Sequence, residues 1–289
     1  MIFALQIAAY FIGCVICASY TSLLERKLIA RIQHRVGPDH CGVYGVVQPL
    51  ADALKLFFKR SPFAGHSKQE ILGVILMLAA SLCQLALVPD AAYGLPLIIL
   101  CHSVMVFAEV LIGTSSRSKF GVIGGTRAYF QLLGGHIPLM LGITAVILRA
   151  HSLNPADFCP DWIDIPLLFA FFTTLLMTGH RLPFDFPEAE SELVGGSYVE
   201  CGGILFAMIY LSDYLNLLFI SALTATLCGA RHVFLLAGTF LIVCLIITLR
   251  ALLTRSTQEQ MFRIAWLIIV PIQLVYILGM CAMRWLNVF

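Results

Sequence analysis

Apolar residues fall in long runs, broken by short polar stretches. A helix needs about 20 mostly apolar residues to cross a bilayer. Eight runs qualify: 2–24, 71–89, 93–113, 130–149, 163–180, 201–221, 232–253 and 262–284. Between the second and third, Pro89-Asp90 predicts a tight turn. The largest gap, 25–70, has its own pattern. Gly37-Pro38, Gly42 and Gly45 make 36–45 a turn-rich loop. From Gln48 onward, Leu50, Leu54, Phe57 and Phe58 alternate with Asp52, Lys55 and Lys59. That spacing predicts an amphipathic helix in the membrane interface, with its cations toward headgroups or a partner. Residues 114–129 read as a polar, Gly-rich hinge, and 252–260 as a plain basic loop. The predicted fold class is an all-α integral membrane protein. It has about eight transmembrane helices plus an amphipathic interfacial helix in the first loop, in one polytopic domain over 1–289.

Composition agrees. Apolar residues make up 60% of the chain and charged residues 12%, against roughly 45–50% and 25% in soluble domains. Mean hydropathy is +0.93. The net charge of +2 says little about partners, and where the charges sit says more; no nucleic-acid partner is expected. The first apolar run passes directly into Glu25-Arg26-Lys27, as a span does and a cleavable signal does not. The ten cysteines are scattered, many inside apolar runs, and read as small buried thiols with no Cys/His metal spacing. No metal site is expected.

The cations are segregated. With eight spans, fifteen of the eighteen Lys and Arg fall on one side, eight of them in 25–70. By the positive-inside rule that side is the mitochondrial matrix or the bacterial cytoplasm. Both termini are then expected on the intermembrane-space or periplasmic side.

The acidic residues are concentrated as well. Asp185, Glu188, Glu190, Glu192 and Glu200 lie within 180–201, out of 16 carboxylates in all. Asp213 follows 13 residues after Glu200, which is roughly 20 Å along a helix. Carboxylates therefore run from the interface into the membrane. Ionisable groups there are expensive and point to function. Burial and mutual repulsion raise their pKa values toward neutrality, which suits them to hold and pass protons.

These residues, taken in order, resemble a known family. The match begins with Glu25-Arg26-Lys27, Gln33, Arg35, Gly37-Pro38, Gly42, Gly45, Gln48-Pro49, Ala51-Asp52, Lys55-Leu56 and Lys59. It continues through Ser118-Lys119-Phe120, Gly124, Arg127 and Gln131, then Arg181, Pro183-Phe184-Asp185, Glu188, Glu190-Ser191-Glu192-Leu193-Val194, Gly196 and Val199-Glu200. Arg255, Gln260 and Trp266 close it. The chain resembles the quinone-site membrane subunit of respiratory complex I, called NADH dehydrogenase subunit 1 in mitochondria and the H subunit of NADH-quinone oxidoreductase in bacteria. Several positions depart from the family pattern. Arg60 follows Lys59 where the family has Glu, and Cys201 follows Glu200 where it has Tyr. Gly134-Gly135-His136-Ile137 stands where it has Ser-Tyr-Glu-Val, and Glu109 is an additional carboxylate.

The resemblance implies a subunit of the proton-pumping NADH:ubiquinone oxidoreductase, with no complete active site of its own. It implies no cofactor bound by this chain. Ubiquinone is the substrate, and NADH, FMN and iron–sulfur clusters belong to partner subunits. The implied partners are peripheral quinone-module subunits, antiporter-like membrane subunits and membrane lipids. Arg26, Arg35, Asp52, Lys55, Arg181 and Phe184 are the implied quinone passage. Asp185, Glu188, Glu190, Glu192, Glu200 and Asp213 are the implied start of the proton relay, with His136 in place of the family carboxylate. The implied location is the mitochondrial inner membrane, or alternatively a bacterial plasma membrane.

Three other readings compete. The membrane anchor of an energy-converting hydrogenase would share the eight-span fold and the 25–59 motif, but the acidic segment argues against it. A self-contained transporter would show internal repeats or paired broken helices. A pure scaffold would gain nothing from deep carboxylates and His136.

Overall fold

The computed structural model describes residues 2–59, 67–88, 94–188, 190–231 and 233–285. Eleven helices carry these residues: α1 (Ile2–Ile32), α2 (Gln48–Phe58), α3 (Lys68–Ala86), α4 (Gly94–Ser115), α5 (Lys119–Ala150), α6 (Ile165–Thr178), α7 (Glu190–Leu193), α8 (Gly203–Leu227), α9 (Val233–Leu252), α10 (Gln258–Ile264) and α11 (Val270–Trp285). No strand occurs among the described residues. The protein is an all-α membrane protein. Among the described residues, six helices are long and apolar enough to cross a membrane: α3, α4, α5, α8, α9 and the joined α10–α11. The other two expected spans fall on α1, whose C-terminal part is charged, and on the shorter α6.

Side-chain caps set several helix starts. Ser67 and Glu70 form a capping box at α3, and Thr257 and Gln260 form another at α10. Ser118 accepts a hydrogen bond from the Gly121 amide and opens α5. This cap corrects the expected hinge at 114–129, because α5 already begins at Lys119 and runs for 32 residues. The glycines there serve close packing. Among the described residues, α5 tolerates its one internal proline, Pro138, as membrane helices can. A π-helical turn, Ala265–Ile269, joins α10 to α11. The predicted amphipathic helix forms as α2, with Leu50, Leu54, Phe57 and Phe58 exposed. The Pro89-Asp90 turn and Arg60 lie outside the described residues.

The main core packs α5, α6, α8, α9 and α11 around Phe158, Phe171 and Phe219. A second core joins α3, α4 and α8 to Tyr198. Between helices in lipid, packing and hydrogen bonds replace the hydrophobic drive. Gln84 accordingly donates to Asn216 at 3.0 Å, linking α3 to α8. All ten cysteines are free, including Cys14 and Cys17 three positions apart on α1. Cys14 and Cys201 are buried, but Cys17, Cys83, Cys159, Cys228 and Cys281 are exposed, so the expectation of uniformly buried thiols fails for half of them.

The loops sort to two ends of the bundle. At one end, Arg26 of α1 bonds Asp52 of α2, and Arg127 bonds Glu192. There too, Ser256 donates to the Pro183 carbonyl. At the other end, Arg149 pairs with Asp161 and Asp164, and Arg231 donates to the Ala156 carbonyl.

Candidate functional site

The acidic segment does not lie flat over its end of the bundle. Gln131 of α5 donates to the carbonyls of Met177 and Phe184, at 2.5 and 2.7 Å, and pulls the start of the segment inward. From the α9–α10 connection, Ser256 bonds the Pro183 carbonyl at 2.8 Å and Arg255 donates to the Phe186 carbonyl at 3.3 Å. The 252–260 connection is therefore a clamp on the acidic segment and not the plain loop its sequence predicts. The segment's far half docks on α5 where Gly124 meets the backbone of Gly196 and Ser197. Gly196 itself has φ +53° and sits against the Pro187 carbonyl, where a side chain has no room.

A cavity of about 470 Å³ opens beneath the folded-in segment, between α1, α8 and α9. Its wall carries Arg26, Arg35, Arg181 and Arg250 beside Glu25, Glu188 and Asp213. Tyr198, Tyr210 and Tyr214 complete the polar wall, and Ile29 and Phe206 add apolar surface. The charges are held in place. Glu25 accepts from Arg250, linking α1 to α9. Arg26 donates to Asp52 at 2.6 Å and to the Tyr210 hydroxyl at 3.2 Å. Arg181 donates to the Asp213 carbonyl at 2.8 Å, with its guanidinium 5.2 Å from the Tyr214 ring centre. His180 Nε2 lies 2.9 Å from Glu109 Oε2, at the inner end of the cavity.

Burial pushes the Glu188 carboxyl well above its ordinary pKa, and the neighbouring Asp213 and Asp185 carboxylates push it further. Burial also raises Asp185, partly offset by His180, Arg250, Arg255 and Arg181. Glu192 behaves oppositely: the hydrogen bond and charge of Arg127 hold it below the usual range. The segment thus contains carboxyls that bind a proton more tightly than usual in the interior and one that binds it more weakly outside.

The residues expected from sequence divide accordingly. Arg26, Arg35, Arg181, Glu188 and Asp213 line the cavity. Asp52 stands one contact behind Arg26. Asp185 is a half-buried neighbour. Phe184 is buried in the main core, and Lys55 is exposed on α2. Glu192 binds Arg127 at 2.6 Å, with Arg255 at 3.8 Å, and Glu200 accepts from the Arg117 amide at 2.8 Å. Both lie outside the cavity wall. The side chain of Glu190 lies outside the described residues. His136 sits apart, deep between α4 and α5, with its Nε2 2.6 Å from Ser103 Oγ. Glu25, His180, Tyr198, Tyr210, Tyr214 and Arg250 were not read from sequence as site residues. One signal was available: Tyr210, Asp213 and Tyr214 make a polar stripe at helical spacing on a predominantly apolar helix.

The matching family model is described as NADH dehydrogenase and covers residues 5–281. The chain belongs to this family. It is 31% identical to the H subunit of NADH-quinone oxidoreductase from Magnetococcus marinus, over 94% of this chain and 88% of the relative. Against the corresponding NADH-quinone oxidoreductase subunits of Rickettsia prowazekii and Rickettsia africae, identity is 32% and 31%, over 94% and 96% of this chain and 91% and 92% of theirs. The protein is thus a multi-pass membrane subunit of complex I, an enzyme complex, and its partners are other complex I subunits. The family supplies a setting for the cavity: its charges converge at the end of the bundle where the acidic segment folds in.

Proposed function

We propose that this chain forms the quinone entry passage of the complex and the first part of the relay that couples quinone reduction to proton translocation. The observation that carries this reading is the cavity, where fixed arginines, the raised-pKa carboxyl of Glu188 and tyrosine hydroxyls converge beside lipid-facing helices. A volume of about 470 Å³ is within the ~300–1,000 Å³ of small-molecule pockets. The polar wall suits a quinone headgroup, with Arg26, Arg35 and Asp52 bracing the entrance and Arg181 the interior. Lys55 and Phe184 support the passage from the α2 surface and from the core.

Quinone reduction consumes two electrons and two protons. The electrons come from iron–sulfur clusters of partner subunits that also hold FMN and take NADH. Glu188 and Asp213 supply or replace protons, backed by Asp185 and Glu190. Glu192 and Glu200 hold the segment to α5 and to the α4–α5 connection, so a change of charge inside reaches the surface through them. His136 carries the relay onward. The whole chain acts as one polytopic domain in the mitochondrial inner membrane, with the cavity end in the matrix and both termini in the intermembrane space. In the alternative, a bacterial plasma membrane, the same end faces the cytoplasm.

The test is photolabelling of the intact complex with a quinone analogue. Label on 25–35 and 181–214, displaced by excess quinone, supports the passage. Label confined to other subunits overturns it and favours the scaffold reading.

A further inference from the structure

At the end of the bundle opposite the acidic segment, α5 and α11 finish side by side. A cavity of about 420 Å³ lies between their last turns, lined by Leu148, Arg149, His151, Met280, Cys281 and Arg284. Its cations run against the charge distribution of the chain. With eight spans, only Arg149, Arg231 and Arg284 of the eighteen Lys and Arg belong to this end, and two of those three wall one cavity. The helix dipole favours a cation in a helix's last turn. That accounts for each arginine singly and not for their meeting.

Arg149 is engaged. It pairs with Asp161 and Asp164, and Asp164 also accepts from the Tyr276 hydroxyl of α11. This network ties α5, the start of α6 and α11 together and fixes one wall of the cavity. Arg284 and His151 differ. Both are exposed, and neither side chain has a hydrogen bond or ion pair among the described residues. His151 ends α5 at φ +53°, a left-handed conformation that histidine adopts more readily than most side chains. A guanidinium offers forked donors that match a phosphate, and a neutral imidazole offers one more.

The surroundings mark the depth. Trp285, next to Arg284, is 86% exposed, and Trp162, next to Asp161, is 88% exposed. Tryptophan concentrates at the headgroup level of a bilayer. From the cavity an apolar stripe runs along α11 through Leu278 and Val275, both largely exposed. Polar donors at headgroup level are thus continuous with a surface for acyl chains, which a free anion would not use. Asp161 and Asp164 balance Arg149 and Arg284 in charge, which suits a zwitterionic headgroup better than a strongly anionic one.

We propose that the α5–α11 cavity binds a zwitterionic phospholipid, with Arg284 and His151 donating to its phosphodiester and its chains along Leu278 and Val275. A lipid seated there bridges the ends of two helices that carry opposite walls of the cavity.

The test uses the intact complex, purified in an uncharged detergent, with phosphatidylcholine carrying a photoreactive group near the top of one acyl chain. Label is expected on 145–152 and 278–285, displaced by excess ordinary phosphatidylcholine but not by diacylglycerol of the same chains or by inorganic phosphate. Arg284→Gln should weaken labelling about tenfold, as loss of one charge-assisted hydrogen bond does, and Arg284→Lys should retain most of it. Equal displacement by diacylglycerol, or undiminished label in Arg284→Gln, overturns headgroup recognition. Displacement by phosphate overturns the lipid in favour of a free anion, and stronger displacement by phosphatidylglycerol overturns the zwitterionic assignment. Absence of label from both segments overturns the site, with another subunit covering the cavity.

Discussion

Arg127 of α5 donates a 2.6 Å hydrogen bond to Glu192, 65 residues later in the chain. A bond of that reach ties the acidic segment to the helix that also carries Gln131 and His136. The pair is partly exposed, with Glu192 54% accessible, so its importance lies in position and not in stabilising the fold. Glu192→Gln is expected to leave the complex assembled, free the 190–200 region and lower coupled turnover. Hydrogen exchange of that region, measured beside proton translocation, checks both. Parental values of each would remove Glu192 from the coupling path.

The pH dependence of this clamp follows from the sign of its shift. Arg127 lowers the Glu192 pKa in the folded protein. The contact is therefore fully present above the unfolded carboxylate value and is lost as pH falls through the lower folded value. Exchange protection at 190–200 should persist as pH drops through the ordinary carboxylate range and collapse only below it. Loss of protection within that range would contradict the assignment.

Glu188 has the opposite sign. Its folded pKa is raised by burial, then by Asp213 and Asp185. It stays protonated above the ordinary range and gives up its proton as pH rises through the higher value. Quinol formation should fall along that alkaline limb. In Glu188→Gln the rate should be lower throughout and the limb should flatten. An unchanged pH profile of the variant would argue against Glu188 as the titrating group.

Gln131 holds two buried carbonyls, those of Met177 and Phe184. Gln131→Leu preserves bulk but strands both acceptors. Leaving a buried acceptor unpaired costs about 1–3 kcal/mol. The variant should lower the unfolding temperature of the purified complex and increase protease cleavage in 181–200.

The docking of the segment on α5 is backbone against backbone at Gly124 and Gly196. Gly196→Ala must fit a side chain at φ +53° beside the Pro187 carbonyl. Strain of this kind is of order 1–3 kcal/mol. Reduced assembled complex on native gels is the expected outcome, and a Gly195→Ala control should assemble normally, since an added Cβ there meets only ordinary contacts.

Much of this was legible before any coordinates. The amphipathic face of α2 shows in Leu50, Leu54, Asp52 and Lys55 because helical periodicity is local. The cluster around Glu188 and Glu192 stands out because carboxylates are rare in so apolar a chain. Other features were hidden by being shared between distant segments. The 114–129 glycines resemble a hinge, and only the approach of Gly196 and Ser197 shows that Gly124 sits inside a helix at a contact. Arg255 and Ser256 resemble an ordinary loop until Pro183 and Phe186 are seen beside them.

The sequence alone determined the all-α membrane class, the pooling of cations and carboxylates, and the family resemblance. All of these are carried by composition, by periodicity or by motifs read along the chain. Tertiary structure decided which charges meet. It put Arg26, Arg181, Arg250, Glu25, Glu188 and Asp213 around one cavity, and sent Glu192 and Glu200 to anchoring contacts outside it. It also placed His102, Glu109 and His136 in one buried interface. Pairing across helices depends on how their faces turn and cross, and no local pattern encodes that.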